Sequence, residues 1–188
     1  MVTRVDRDLV QQAQRGDRDA FAVLVRTHGD RLFGIARRIL RDLDLADDAV
    51  QQALVVCWQE LPRLRDAERF DGWSVRILVR ICYELSRATR RVAMNMVTLD
   101  AAGDPPTRDP SDSIVQRDEL ERGFRRLPPE QRAILVLRHY LGLEPTEIAD
   151  VLGIPAGTVR SRLHYAHREL RAALEADARQ AVAGGRPA

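Results

Sequence analysis

Residues 145–170 read PTEIADVLGIPAGTVRSRLHYAHREL, and this stretch decides the fold of the C-terminal part of the chain. Pro145 and Pro155 stand where a proline can open a helix, because the first helical N–H groups have no partner in the helix anyway. Gly153 follows an apolar pair and can take the left-handed conformation that ends a helix. The stretch therefore predicts two short helices joined by a tight turn, the arrangement that puts a second helix into the DNA major groove.

The second helix of this pair has two distinct faces. Four apolar residues spaced four, three and four apart form one stripe: Val159, Leu163, Ala166 and Leu170. The opposite face carries side chains that suit groove reading: Arg160, Ser161, His164, Tyr165 and Arg168. An arginine can form two hydrogen bonds to one guanine, and a hydroxyl can hydrogen-bond to a base or a phosphate. An ordinary amphipathic surface helix would have the same stripe, but the turn residues and this front face together favour DNA binding.

The composition excludes several classes of protein. No apolar run among the 188 residues approaches the roughly 20 that a membrane-spanning helix needs, and no apolar signal sequence follows Met1. The two cysteines, Cys57 and Cys82, each lie in a helical apolar pattern, so neither a disulfide framework nor a metal site is expected. We expect a cytoplasmic protein with no membrane insertion, no cofactor and no bound metal.

Charge is distributed unevenly along the chain, although the net charge is only +2. Residues 1–91 hold 17 Arg against 14 acidic residues, residues 92–121 hold 2 against 7, and residues 122–188 hold 11 against 7. Residues 92–113 also cluster Pro, Asp and Gly without a sustained period, which is typical of a flexible linker. No strand-like alternation stands out. The sequence therefore predicts an all-α fold with two small helical domains, the C-terminal one containing the helix-turn-helix.

Helical periodicity predicts the positions of the individual helices. Four precede the linker, at about 6–27, 30–40, 46–61 and 72–91. After the linker, a helix opened by Pro128 and Pro129 comes before the helix pair. The tail from Ala176 onward is expected to fray.

The third predicted helix leaves an unusual surface outside. Its outer face is rich in amides and carries one valine: Asp48, Gln51, Gln52, Val55 and Gln59. Most other outer faces of this chain use charge, so a face of this kind favours docking to a partner. A mildly polar exterior without a partner is the alternative, and the helix alone does not decide between them.

The fourth predicted helix has a basic outer face. Its members lie within about a third of the helix circumference: Arg76, Arg80, Tyr83, Arg87, Arg90 and Arg91. Like charges on one face repel each other unless a polyanion neutralises them, and an interleaved Tyr can stack on an unpaired base. The loop before this helix adds Arg63, Arg65 and Arg69, and it could hold an extruded base. An ordinary helix connection is the alternative for the loop.

Three segments together resemble the bacterial extracytoplasmic-function sigma factors, the smallest RNA polymerase specificity subunits. DDAVQQALVVCWQELPRLRD at 47–66 is similar to the family's polymerase-binding helix, and FDGWSVRILVRICYELSRATRR at 70–91 to its −10 element region. LPPEQRAILVLRHYLGLEPTEIADVLGIPAGTVRSRLHYAHREL at 127–170 is similar to its −35 element domain. The resemblance implies sigma region 2 at 1–91, a linker at 92–115, sigma region 4 at 116–178 and a tail at 179–188.

The resemblance also implies roles for individual positions. Asp48, Gln51 and Gln52 match polymerase-facing residues, and residues 63–69 match the segment that captures a flipped −10 base. The positions that touch −35 bases match Arg160, Ser161, His164 and Tyr165, and those that reach phosphates match Thr158 and Arg162. Core RNA polymerase and promoter DNA are then the partners, control by an anti-sigma factor is left open, and the chain performs no catalysis.

This chain departs from the family pattern at several positions, three of them in the two predicted helices that carry the docking and basic faces. Gln52 stands in place of a usual Glu, Leu54 in place of a usual Phe, and Arg80 in place of a usual Asn in the promoter-melting helix. A cation and an amide read different base edges, so Arg80 should alter the −10 preference.

Two other functional classes remain as alternatives. A helix-turn-helix repressor or activator explains the C-terminal part equally well, but it leaves the basic and amide-rich faces without a role. An enzyme has little support, since none of the four histidines stands with a nucleophile and a carboxylate in a recognisable pattern. His164 and His167 have helical spacing for a metal, but a solvent- or DNA-facing pair is the favoured interpretation.

Overall fold

The computed structural model describes residues 7–96 and 120–184, which are helical apart from short turns. The N-terminal domain consists of α1 (Arg7–Gln14), α2 (Arg18–Leu40), α3 (Leu43–Glu60) and α4 (Phe70–Met96). Two 3₁₀ turns, Leu61–Arg63 and Ala67–Arg69, join α3 to α4. In the C-terminal domain, helical residues 120–126 (α5) precede α6 (Pro129–Leu135), which continues as a π-helical turn over Val136–Tyr140. Helices α7 (Pro145–Leu152) and α8 (Ala156–Gly184) follow.

The predicted helix-turn-helix is confirmed in its local detail. Helix α7 starts at Pro145, where the backbone N–H of Glu144 donates to the Glu147 carboxylate at 2.7 Å. Gly153 ends α7 with a left-handed φ of 65°, and α8 begins directly after Pro155. A side chain at this φ would be strained, so the glycine decides where the turn lies.

The first two helices differ from the predicted boundaries. The predicted helix over 6–27 is broken at Gly16, which has a φ of 94°, and Asp17 then caps α2 by accepting from the N–H groups of Asp19 and Ala20 at 2.9 and 3.0 Å. The predicted break near residue 29 is absent. Buried residues continue through it at helical spacing: Leu24, His28, Leu32 and Ile35. Tertiary packing of that stripe outweighs the low helix propensity of Gly29.

The later helix ends also lie beyond the sequence expectation. Helix α4 continues past Arg91 to Met96, and α8 continues past Ala176 to Gly184. The end of α8 is rich in alanine, the residue with the highest helix propensity, so composition supports the extension. Of the predicted linker, residues 97–115 lie outside the described residues.

Two apolar clusters hold the helices together. A small one joins α1, the start of α2, both 3₁₀ turns and the start of α4, with Leu24, Leu61 and Phe70 almost fully buried. The larger one runs from α2, α3 and α4 into α6, α7 and α8 without interruption. The two domains therefore pack against each other through shared apolar surface. We call the surface where α2 and α4 meet α6 and α7 the domain contact.

Polar groups border the domain contact. The Arg38 guanidinium lies 3.8 Å from the centre of the Tyr140 ring, and Arg41 forms an ion pair with Glu121. Gly34 allows this approach, since a Cβ there would lie 2.7 Å from the Tyr140 hydroxyl oxygen. The close packing of α2 against the π-helical turn therefore depends on a residue without a side chain.

Candidate nucleic-acid interface

The first half of α8 presents the front face that the sequence predicts. Val159, Leu163 and Ala166 are buried against the rest of the C-terminal domain, as expected. Of the seven predicted −35 residues, Thr158 is half-buried and the other six are exposed along one side of the helix. Those six are Arg160, Ser161, Arg162, His164, Tyr165 and Arg168. The structure thus brings all seven together in the first half of one helix.

Local contacts orient part of this face. The Ser161 hydroxyl donates to the Thr158 carbonyl oxygen at 3.0 Å, which leaves the hydroxyl oxygen free to accept a bond from a base or a water. The Arg168 guanidinium lies 4.9 Å from the centre of the Tyr165 ring. A cation held over an aromatic face loses conformational freedom before it meets a ligand, so this pair is partly preorganised.

The basic face of α4 is divided between solvent and the domain contact. Arg80 is 82% exposed and donates from Nε to Glu84 at 3.0 Å, one helical turn away. Arg87 approaches Glu130 of α6 at 3.9 Å. The guanidinium of Arg76 lies against Gly153, where an added Cβ would be 2.8 Å from its Nη2. Two of the predicted −10 arginines thus contact the C-terminal domain in this conformation.

Tyr83 differs from its predicted exposure. The side chain is half-buried, and its hydroxyl is buried without a hydrogen-bond partner. Burial, with a smaller contribution from Glu130, raises the pKa of Tyr83 to about 12. The helical period places Tyr83 on the basic face, but α6 packs over it, so its ring is not available for base stacking while the domains are in contact.

The loop between α3 and α4 is rigidly attached at its ends. Gln14 of α1 donates from its amide to the carbonyl oxygens of Leu61 and Leu64, at 3.2 and 2.6 Å. Asp66 accepts from the Glu68 N–H at 3.0 Å and caps the second 3₁₀ turn. Three predicted arginines point outward from this frame: Arg63, Arg65 and Arg69. Side-chain hydrogen bonds from Gln14 and Asp66 to the backbone therefore hold the loop that carries these arginines.

The outer face of α3 is exposed as predicted. All five of its predicted docking residues are exposed in the structure: Asp48, Gln51, Gln52, Val55 and Gln59. Val55 is 56% exposed, which is unusual for a large aliphatic residue of this chain. The amide of Gln51 donates to the Asp47 carboxylate at 2.7 Å. The inner face of the helix, including Ala46, Ala53 and Cys57, is buried.

Sequence reasoning missed the groups that join the domains and one histidine pair. Tyr140 and Gly34 carry no periodic signal that would link them, and only a three-dimensional contact relates them. His167, which the sequence pairs with His164 by helical spacing, instead meets His139, with 2.9 Å between the two Nε2 atoms. Among the described residues no three His, Cys, Asp or Glu side chains are grouped to hold a metal, and none of the described helices is long and apolar enough to cross a membrane.

Comparison with known proteins finds two family models along the chain. Residues 24–92 match the family model of sigma-70 region 2, and residues 117–170 match that of sigma-70 region 4. The RNA polymerase sigma-H factor of Pseudomonas aeruginosa is 31% identical over 94% of this chain and 97% of its own length. The ECF RNA polymerase sigma factor SigM of Mycobacterium tuberculosis is 32% identical over 89% of this chain and 83% of its own.

Solved structures agree with the fold. CnrH, in complex with the cytosolic domain of CnrY, is 29% identical with a TM-score of 0.65, covering 92% of this chain and 98% of that one. RpoE of Bartonella quintana, in complex with the anti-sigma factor NepR, has a TM-score of 0.64 at 21% identity, covering 84% and 98%, and supports the fold alone.

An all-α chain with sigma-70 region 2 followed by region 4 has the architecture of an RNA polymerase sigma factor. With relatives of this identity and coverage, the chain belongs to the extracytoplasmic-function family of bacterial sigma factors. Proteins of this family are transcription initiation factors, and this one directs promoter-specific transcription.

Proposed function

We propose that this sigma factor docks on core RNA polymerase through the outer face of α3, with Asp48, Gln51, Gln52, Val55 and Gln59 as the contact residues. The observation that supports this role is the exposure of Val55 amid amides on a helix whose other face is fully buried. Partly apolar, weakly charged surface loses little on desolvation, so it suits a protein interface better than the arginine-rich faces do.

Promoter DNA then meets two separate surfaces. The front of α8 lies in the −35 major groove, where Arg160, Ser161, His164 and Tyr165 contact bases, while Thr158, Arg162 and Arg168 contact the backbone. The −10 strand meets the loop of Arg63, Arg65 and Arg69 and the basic face of α4 that holds Arg76, Arg80, Tyr83, Arg87 and Arg91. Stacking and arginine contacts there offset the few kcal/mol needed to extrude a base.

The proposed division of labour follows the chain. Residues 1–91 act as region 2, residues 92–115 as the linker, residues 116–178 as region 4 and residues 179–188 as the tail. The chain binds and positions but performs no chemical step, and it acts in the cytoplasm with the polymerase. Arg80, with its Nε bonded to Glu84 in this conformation, reads a −10 base differently from the family's usual Asn.

Promoter binding requires the two domains to separate. Arg76 and Arg87 of α4 contact Gly153 and Glu130 of the C-terminal domain, and Tyr83 is covered by the same surface. These groups cannot touch DNA while they touch each other. We therefore infer that the described conformation is one that polymerase and DNA open. CnrH, at 29% identity, is solved in complex with the cytosolic domain of CnrY, which supports a regulatory protein as a further partner of this chain.

The test is co-migration of the purified chain with sigma-free core polymerase on a sizing column, followed by run-off transcription. The double variant Asp48→Lys with Gln52→Lys should lose the complex. Glu175→Lys, an exposed charge reversal on α8 far along the chain from α3, serves as the matched control and should retain it. If the unaltered chain fails to bind core polymerase but binds a palindromic operator alone as a dimer, a stand-alone regulator is the correct function.

A further inference from the structure

The basic face of α4 carries one acidic residue, to which the proposed function gives no role. Glu84 is the only acidic residue between Gly72 and Arg91. Its side chain is exposed, and its carboxylate accepts a hydrogen bond from Nε of Arg80 at 3.0 Å, one helical turn away. Because phosphates repel a carboxylate, an acid on this face weakens DNA binding in general. What Glu84 contributes must therefore come through Arg80.

The hydrogen bond from Nε determines which edge of the Arg80 guanidinium stays free. A guanidinium carries one N–H at Nε and two at each Nη atom. With Nε bonded to Glu84, the edge formed by the two Nη atoms can still bind a base that offers two acceptors side by side. O6 and N7 of guanine form such a pair, whereas adenine places a donor beside N7.

Arg80 differs from its neighbours on the basic face in what holds it. Arg87 approaches Glu130 of the C-terminal domain. Arg76 lies against Gly153 of the same domain. Arg80 is held within its own helix, so its orientation does not depend on the domain contact.

The carboxylate also limits what Arg80 can bind. A free arginine can swing onto any phosphate within reach, and a phosphate contact carries no sequence information. An arginine bonded to a carboxylate has fewer orientations to lose on binding a base, and the negative charge beside it disfavours a nearby phosphate.

We propose that Glu84 is a positioning residue, which holds the Arg80 guanidinium with its Nη edge outward so that Arg80 reads a guanine of the −10 element and not the DNA backbone. This inference rests on the proposed −10 contact of Arg80. Removing Glu84 should raise the affinity for DNA in general and lower the preference for one base. Loss of an exposed ion pair that only stabilises the helix would produce neither effect.

The experiment uses variants of the full chain, each assembled with core polymerase. The probe is a pool of DNA duplexes with a randomised promoter segment, which is selected by binding and then sequenced. Glu84→Ala removes both the charge and the acceptor. It should raise total binding severalfold at low salt, with a smaller gain at high salt. It should also lower the preference for guanine at one −10 position about two- to tenfold, the cost of leaving one long side chain unfixed.

Glu84→Gln separates charge from positioning. It removes the same charge but keeps a side-chain oxygen that can accept from Nε of Arg80. It should raise total binding as much as Glu84→Ala does and retain most of the preference for guanine. Arg80→Ala identifies the position, since the preference there should disappear.

Glu169→Ala is the matched control, because Glu169 accepts from Arg168 at 3.3 Å in an exposed pair on α8. It should leave every −10 preference unchanged. If Glu84→Ala keeps the guanine preference, or if Glu84→Gln loses it to the same extent, Glu84 does not position Arg80 and the inference is wrong. A base other than guanine at the position that Arg80→Ala identifies would also overturn it. If Arg80→Ala changes no −10 preference, the proposed −10 role of Arg80 is wrong as well.

Discussion

Substituting Gly34 by alanine should loosen the domain contact without weakening the helix in which Gly34 lies. Within a helix, Ala is more favourable than Gly by about 0.8–1.0 kcal/mol, so the substitution stabilises helix α2 itself. The new Cβ would however lie 2.7 Å from the Tyr140 hydroxyl oxygen and 3.3 Å from Arg38 Nη1, so both side chains must move. Losing the contact between the Arg38 guanidinium and the Tyr140 ring costs about 0.5–1 kcal/mol. The two effects nearly cancel in global stability.

The domain contact should nevertheless weaken, because the helix gain is present whether or not the domains touch. A loss of about 1 kcal/mol increases the fraction of separated domains about fivefold. Small-angle scattering should report this as a larger radius of gyration, and chemical denaturation should give a free energy of unfolding within a few tenths of a kcal/mol of the unaltered chain.

Gly29→Ala is the control for this experiment. Gly29 lies in the same helix, and an added Cβ there meets nothing within 4 Å. The free energy of unfolding of this variant should rise by the full difference in helix propensity, about 0.8–1.0 kcal/mol, and its radius of gyration should not change. Identical unfolding free energies and identical scattering for the two variants would show that Tyr140 does not pack on Gly34, and the inferred opening of the domains would lose its support.

The remaining predictions concern DNA reading and the thiols. Arg160→Ala should cost roughly 1–3 kcal/mol at its cognate −35 base and relax specificity there, measured with a set of promoter variants. An equal loss for every sequence would exclude base reading. Arg87→Ala should weaken binding to all promoters by a similar factor. It should also lower the slope of log binding constant against log salt concentration by about one unit. Burial raises the pKa of Cys57 and of Cys82 to about 12, so a thiol reagent at pH 8 should label neither in the native chain and both in denaturant. Labelling of native protein would refute their burial.

The helix-turn-helix could be predicted because its determinants are local. Prolines at helix starts and a glycine in the left-handed region act within a few residues, so Pro145, Gly153 and Pro155 define the same turn in sequence and structure. The outward faces of α3 and α8 could be predicted for a related reason. When one face of a helix is buried, the helical period fixes what remains outside, as it does for Val55 and Arg160.

The boundaries that failed depend on longer-range effects. Gly29 does not interrupt α2 because residues on either side of it are buried against the other helices. Tyr83 is covered because α6 packs over it, and no periodicity along α4 contains that information. The pairing of His139 with His167 likewise depends on how the π-helical turn meets α8, which the spacing of residues in either element does not determine.

The balance of forces at the domain contact explains how partners could open it. Its ion pair between Arg87 and Glu130 spans 3.9 Å with both side chains substantially exposed, so it is worth at most about 1 kcal/mol. The contact is therefore held mainly by apolar burial, which is not directional. A DNA backbone offers Arg87 several phosphates and releases counterions on binding, which favours exchange of the weak pair for nucleic acid. Arg76 would gain in the same way on leaving Gly153, because among the described residues it forms no ion pair with an acidic side chain. If polymerase docks on the proposed face of α3, which is another surface of the same domain, its binding need only offset the apolar part of the contact energy.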